Sequence, residues 1–521
     1  MITSLKKINT TQTIRFLSLL VLFKILSIVF VGGYLFTNFK PNSLFSKIYF
    51  SFSNANPYEH SSFLLYFLAS PWTYFAILIS CLLYFKGAIR SWKDIENQNL
   101  VKVVVLIPVL VLAYECYFSS YNFFVDQSFD FERILILLLA IGSFFNPLFI
   151  SPFIALVLLF QGQFVYPIPG YLLFDKRVLM DIILLFLSFL ILKKNFSLKA
   201  SLFFFTVLLI VISNYFYAGF SKLWSSPHGY EWIVGQMEYS LSHVVFKGWP
   251  LSESLINFVK NNALLLQTCT IIIELSSLLF FWKKKLSYYH ICAFVILHFM
   301  IFYFSGCLFW KWIIVDVIAL FILIKIDVFS RQYFYFSIIG ILTCKIWLSP
   351  FPASWFPTKI NQSFLYEVTL EDGSKEVYNK QFFAPFGNHF HHGKFHFIVN
   401  EKLLPIKTFG YTLDYQLSQK IDKSSLSEIV ALEQQLGQNN YDSIKKENFE
   451  NFLKTYFSNV NKSSTNWQPA TKLVHLYVKQ SDWTPEKKKI VAVKVYLIKT
   501  IIKENKSSVF YKKNILDLKI D

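Results

Sequence analysis

The sequence predicts a mainly α protein, a polytopic transmembrane helical bundle of roughly ten segments over residues 1–349 followed by a small extracytoplasmic α+β domain over residues 358–521. Three observations carry that prediction. Hydrophobic residues make up 54% of the 521, including 59 Phe, and only 16% are charged, a balance too apolar for a soluble chain of this length. Apolar runs of roughly 17–25 residues, long enough to cross a bilayer, recur from residue 13 to about 347 and then stop. Polarity rises sharply after Pro352, which puts the boundary in Ser349-Pro-Phe-Pro-Ala-Ser-Trp-Phe-Pro357.

The first apolar run follows Lys6, Lys7 and Arg15, as a signal peptide would. It carries Lys24 and lacks a small-x-small cleavage site, so it reads as a retained first span. Lysine-rich short loops face the cytoplasm, and they fall at every second turn of a simple serpentine. Lys86, Arg90, Lys93 and Lys102 lie between spans two and three, and Lys193, Lys194 and Lys199 precede the span that ends at Lys222. Lys283-Lys284-Lys285, Lys325 and Arg331 complete the set. This pattern places the 38–62 loop, the 218–261 loop and the C-terminal domain on the opposite, extracytoplasmic face.

Residues 132–176 break the alternation, because Asn146-Pro147 and Pro152 interrupt the apolar run. A broken pair or a re-entrant hairpin satisfies the count of crossings. Non-helical backbone at that depth needs protein or a cavity around it, so the segment is expected to line the interior.

All six cysteines lie in or beside apolar runs and form no CxxC pair, so no disulfide framework is implied. The formal charge of +18 is spread over loops and tail with no recognition motif. It points to anionic lipid head groups and not to nucleic acid. Usage rich in Phe, Lys and Asn fits a bacterial inner membrane.

The stretch most informative about chemistry is Tyr215-Phe-Tyr-Ala-Gly-Phe-Ser-Lys222-Leu-Trp224, with Trp232 and Gly235 just beyond. It sets an amine at a membrane boundary inside a ring of aromatics, where desolvation disfavours the ammonium and makes a usable base. The plain alternative is a snorkelling lysine at a helix end. Ala218-Gly219 lets another helix or a flat ligand come close. Trp224, His228, Trp232, His243 and Trp249 suit either an interfacial cap or an ordinary aromatic belt.

His298 sits in mid-helix, where water cannot satisfy its ring, so it is a functional residue or a core histidine bonded to a carbonyl. Glu274 carries the same cost and pairs with either His298 or Lys222. Lys24, Glu115, Asp181, Lys311 and Asp316 are the other intramembrane ionisable residues, some of which are expected to cancel as ion pairs.

In the polar domain, His389-Phe-His391-His392-Gly-Lys-Phe-His396 has no matched cysteine or carboxylate cluster and no standard zinc spacing, so no metal is expected. Residues 366–378 read as a β-hairpin turning at Asp372-Gly373, residues 425–437 and 446–459 as amphipathic helices, and residues 472–500 as strands. The chain has no P-loop, dinucleotide fingerprint, Gly-x-Ser-x-Gly or HExxH.

The ordered set Tyr-Phe-Tyr-Ala-Gly-Phe-Ser-Lys222-Leu-Trp, Trp232-Ile-Val-Gly235, Ile-Glu274-Leu-Ser-Ser-Leu-Leu-Phe-Phe-Trp and His298 resembles the horizontally transferred transmembrane domain, the superfamily that contains vitamin K-dependent γ-carboxylase. The resemblance covers roughly residues 10–347 in architecture and rests on short motifs whose combination carries it. It implies a quinol-dependent, carboxylase-like or epoxidase enzyme that uses reduced vitamin K or menaquinol. It further implies Lys222 as the base, in the place of the second lysine of the family's Ala-Gly-x-Lys-Lys-Leu, with Ser221 in the place of the first. Glu274 and His298 would shape its proton exchange, and Tyr217, Gly219, Trp224 and Trp232 would form the quinone pocket.

The chain departs from the family upstream. No histidine lies between His60 and His228, where the family has Asn-Asn-His, and Ser-Phe-Phe-Asn146-Pro147 is all that region offers. That weighs against full glutamyl carboxylation and leaves quinone binding or epoxidation. The alternative is a non-catalytic membrane factor for maturation or export of a secreted peptide or protein, which would meet the extracytoplasmic domain. A transporter is disfavoured by the lack of an inverted repeat.

Overall fold

The structure, a computed structural model, describes residues 10–32, 71–85, 89–117, 130–162, 176–246, 248–306, 308–350, 354–378, 396–407, 410–462 and 488–521. Among these the chain is mainly helical, with a small sheet region toward the C-terminus. The helices in order are α1 (Thr10–Ser27), α2 (Pro71–Phe85), α3 (Gln98–Tyr117), α4 (Asp130–Phe145), α5 (Ile150–Gly162), α6 (Arg177–Phe196), α7 (Ala200–Trp224), α8 (Met237–Phe246), α9 (Glu253–Ser276), α10 (Lys284–Ser305), α11 (Trp310–Lys325), α12 (Arg331–Leu342) and α13 (Cys344–Trp347). The polar region follows with β1 (Phe356–Pro357), β2 (Ile360–Leu370), β3 (Lys375–Val377), β4 (Tyr411–Thr412), α14 (Tyr415–Lys423), α15 (Leu426–Leu436), α16 (Ser443–Lys462), β5 (Ile490–Lys503) and β6 (Lys506–Lys519).

Five helical stretches are long and apolar enough to cross a membrane: Thr10–Phe30, Gln98–Tyr117, Ala200–Trp224, Glu253–Leu279 and Lys284–Ser305. Two shorter apolar helices, Tyr74–Phe85 and Pro147–Leu158, accompany them. The first apolar run is one of the five.

α7 is the axis of the bundle. Its residues from Leu202 to Ser213 are buried on every side, which is the position of a helix that is hydrophobic all round. α6, α9, α11 and α12 pack against it. α9 and α10, two of the helices long and apolar enough to cross a membrane, by contrast present Leu264, Leu265, Ile272, Ile296 and Phe299 outward.

The interruption at residue 146 is a helix break. Asn146 Oδ1 accepts from Leu148 N at 3.0 Å and its Nδ2 donates to the Arg90 carbonyl at 3.0 Å, so the turn's backbone is satisfied locally. α5 then continues with Phe153 to Val157 at most 1% exposed, as expected of a broken pair lining the interior.

In the polar region β3-β2-β5-β6 form an antiparallel sheet, and β1 pairs with β4. The hairpin read at Asp372-Gly373 is present, with Glu367 opposite Val377 and Asp372 Oδ1 accepting from Ser374 N at 3.0 Å. The two helices read from amphipathic periodicity are α15 and α16. α15 opens with a reciprocal cap between Ser425 and Glu428. Within the strands read at 472–500, residues 472–487 lie outside the described residues, and β5 starts at Ile490. One sheet face buries Lys499, whose Nζ lies 2.5 Å from Glu433 Oε2, while Gln362 Nε2 donates to Glu433 Oε1 at 3.0 Å.

The amphipathic helix α8 joins bundle and sheet. Leu241 packs with Ile256, Val259 and Phe304 of α9 and α10. Its other side meets the C-terminal region, where Gln236 Nε2 donates to Asp422 Oδ2 at 2.7 Å and Tyr239 donates to Oδ1 of the same carboxylate. His243 Nε2 lies 3.0 Å from the Thr358 carbonyl. Gly410, with φ +63°, lies over the histidine, and a Cβ there would come within 2.2 Å of His243 Nε2. Only glycine suits both that backbone and that contact.

Candidate functional site

Two buried polar clusters share one face of α7. Tyr215, Gly219 and Lys222 are spaced i, i+4 and i+7, which aligns them along a single stripe near the helix's C-terminal end. α9 crosses this stripe at Gly219. A Cβ on Gly219 would lie 2.8 Å from Glu274 Cβ and 3.3 Å from Leu275 Cγ. The small residue therefore admits a helix, the first of the two roles open to it from sequence.

That close approach builds the first cluster. Lys222 Nζ donates to both oxygens of Glu274 at 2.6 Å each, and the two residues are 4% and 5% exposed. Ser226 Oγ donates to the Lys222 carbonyl at 2.8 Å and accepts from Trp232 N at 3.2 Å, folding the 225–232 turn back on the helix end. Gln267 Nε2, two turns before Glu274 on α9, donates to the Trp232 carbonyl at 2.7 Å. The result is an indole ring with its centroid 5.1 Å from Lys222 Nζ, a cation–π roof over the ion pair.

The second cluster lies two turns earlier on α7. Tyr215 Oη donates to Asp316 Oδ1 and Oδ2 at 3.0 and 2.9 Å. His298 Nδ1 of α10 is 3.3 Å from Asp316 Oδ2 and 3.4 Å from Tyr215 Oη. Asp316 is fully buried and His298 is 6% exposed. Phe294 stacks on Tyr215 with an interplanar angle of 5°, and Phe309 and Trp312 flank the imidazole at 5.8 and 6.3 Å. His298 is thus partnered by a carboxylate and not by a backbone carbonyl.

The choice left open for Glu274 resolves to Lys222. Of the other ionisable residues read as intramembrane, Glu115 and Lys311 pair with each other at 2.5 Å, while Glu115 also takes Lys176 at 3.3 Å and Asp181 takes Arg177 at 2.9 Å. Lys24 Nζ donates to Ser349 Oγ at 3.4 Å.

Of the proposed pocket residues, Trp232 and Gly219 are at the first cluster and two are directed elsewhere. Tyr217 faces Lys345, whose Nζ is 5.5 Å from its ring. Trp224 is 78% exposed and stacks on Phe220, as a belt residue would. Among the other aromatics and histidines of that loop, His228 is bound to Glu231 at 2.5 Å and Trp249 Nε1 donates to the Tyr303 carbonyl at 2.9 Å. His389, His391 and His392 lie outside the described residues; among those described, no group of three or more metal-ligating side chains occurs.

Sequence reasoning missed Tyr215 and Asp316 as partners of His298, and Ser226 and Gln267 as the supports of Trp232. The i, i+7 spacing of Tyr215 and Lys222 was a usable signal. The rotation of α11 that turns Asp316 inward was not readable from one helix alone.

The arrangement sets a buried ion pair in an aromatic surround. Moving a proton from Lys222 to Glu274 leaves a neutral amine beside a neutral acid, with no change in net charge. No family model matches the chain, nor does any curated protein or solved structure.

Proposed function

We propose that the protein is an integral-membrane enzyme of the vitamin K-dependent γ-carboxylase-like superfamily, acting on a quinol such as reduced vitamin K or menaquinol in an epoxidase or carboxylase-like reaction. It would sit in a bacterial inner membrane with roughly ten helical segments and its C-terminal domain outside, where a peptide or protein partner would dock. One observation carries this reading: Lys222 Nζ is held 2.6 Å from both oxygens of Glu274 beneath Trp232, with both side chains buried. Intramembrane charge of this kind is costly and is kept mainly where it works.

The Trp232 ring over the pair would suit a quinol's ring, with Lys222 and Glu274 as the polar groups beside it. When bound, a quinol supplies an ionisable hydroxyl and the electrons that oxygen accepts. Glu274 takes the ammonium proton of Lys222, and the neutral amine receives the hydroxyl's proton. Trp232 and the apolar helices exclude water, which strengthens each charge interaction and keeps the proton local.

A second reading rests on the same contact, because a lysine engaged by both carboxylate oxygens also describes a structural pair. The protein is then a non-catalytic maturation factor that works through its C-terminal domain. Oxygen-dependent epoxide formation from reduced vitamin K and menaquinol by detergent-purified protein separates the two. The enzyme reading expects epoxide that disappears in Lys222→Ala. Absence of epoxide from well-folded wild-type protein overturns it; the maturation reading expects loss of function on deletion of residues 358–521 and tolerance of Lys222→Ala.

A further inference from the structure

We propose that His298, oriented by Asp316, is a second proton acceptor of this membrane site, with Nε2 receiving the hydrogen bond and then the proton of a hydroxyl on a planar, bilayer-soluble ligand. The inference deepens the quinol reading and rests on it for the ligand class.

With Asp316 ionised, the contact with His298 assigns the tautomer. A carboxylate only accepts, so the contact from His298 Nδ1 to Asp316 Oδ2 at 3.3 Å puts the ring proton on Nδ1 and the lone pair on Nε2. Among the described residues Nε2 makes no hydrogen bond, and His298 keeps 6% exposure where Asp316 has none. A buried imidazole with one nitrogen committed to a carboxylate and the other bare is the arrangement of a general base with its orienting acid.

Tyr215 adds a second device. Its hydroxyl donates to both oxygens of Asp316, which fixes the carboxylate against the ring. Proton transfer is balanced within the cluster: the ligand's O–H bond breaks, an Nε2–H bond forms, and the imidazolium stands beside Asp316 as a neutral pair. Protonation therefore leaves no uncompensated positive charge at His298. The titratable groups facing His298 are Tyr215 from α7 and Asp316 from α11; Glu274 of α9, paired with Lys222, is the next in electrostatic reach.

Position gives the ligand its form. Tyr215 and Lys222 are seven residues apart on one face of α7, a rise of about 10 Å. α9 covers the stretch between them at Gly219, so the ligand hydroxyl is placed at His298 and not along the stripe. The ring that carries this hydroxyl would lie beside Phe309 and Trp312, which flank the imidazole at 5.8 and 6.3 Å. Tyr215 and Asp316 are positioning residues, and His298 is the catalytic one.

The test uses the full chain in lipid, labelled with ¹⁵N-histidine, and 2-methyl-1,4-naphthohydroquinone under argon as the probe. Without probe, solid-state spectra should show His298 as the Nδ1–H tautomer with a bare Nε2, assigned by its disappearance in His298→Gln. Asp316→Asn should lose that tautomer preference and Asp316→Glu should keep it, which a purely structural role would not require. If His298→Gln does not fold, the displacement of the same signal in Asp316→Asn makes the assignment. Saturating probe should move the Nε2 resonance to a hydrogen-bonded or protonated position, and His298→Gln should weaken probe binding about tenfold, the loss of one good hydrogen bond. Probe that binds with full affinity and leaves Nε2 unchanged overturns the proposal and spares the quinol site. Failure of folded wild-type protein to bind the probe overturns both.

Discussion

Removing either partner of the Lys222–Glu274 pair should cost far more than removing both. Lys222→Met leaves a carboxylate that is 5% exposed without its counter-charge, and Glu274→Leu leaves an ammonium that is 4% exposed. Breaking a buried pair from one side costs about 3–5 kcal/mol. If the residues acted independently the double variant would lose about 6–10 kcal/mol, the sum of the single losses. Because Met and Leu fill most of the same space and carry no charge, the double variant should be within about 2 kcal/mol of wild type. The assay is reversible denaturant unfolding in detergent, followed by tryptophan fluorescence, on all four proteins. Additive losses would refute the claim that the two side chains neutralise one another in the folded protein.

Three further outcomes are expected. Gly219→Ala puts a Cβ 2.8 Å from Glu274 Cβ, so α9 must move; unfolding should show a loss of about 1–3 kcal/mol, together with a weakened Lys222 contact. Burial, with a smaller contribution from Lys407, pushes His396 down to about 4 from its ordinary 6.5. Between those values the unfolded chain binds a proton that the folded chain refuses, so stability should fall as pH drops through that window. His396→Phe, which keeps a ring beside Phe364, should flatten that part of the pH–stability curve relative to wild type. Asp422→Ala removes the acceptor of Gln236 and Tyr239, and hydrogen exchange in residues 237–246 should quicken, as expected for the loss of about 1.5–3 kcal/mol per charge-assisted bond.

The parts of this fold that were legible are those written in local pattern. Apolar runs marked the long helices, Asn146-Pro147 marked the break, Asp372-Gly373 marked the hairpin, and the spacing of apolar residues marked α15 and α16. Lys222, Glu274 and His298 stood out singly, because each is an expensive residue where it lies. Their pairing was not legible, since it depends on how α9, α10 and α11 are rotated about α7. That rotation is set by side-chain packing, and it turns on details such as the missing Cβ of Gly219. The resemblance puts Tyr217 and Trp224 in the pocket, but a helix places positions 217 and 224 off the stripe shared by 215, 219 and 222. The strand from 506 to 519 was hidden by its many lysines, which suit an exposed edge strand and mask its alternation.

The partnership between α7 and α9 also sets an order of manufacture. Glu274 lies 52 residues downstream of Lys222. At roughly 5–20 residues per second, the chain spends about 3–10 s with the lysine made and its carboxylate not yet synthesised. During that interval the ammonium has only solvent or α7's earlier neighbours for company. α7 therefore reaches its final packed position only after α9 has been made, and chains halted between residues 222 and 274 hold the lysine without its partner.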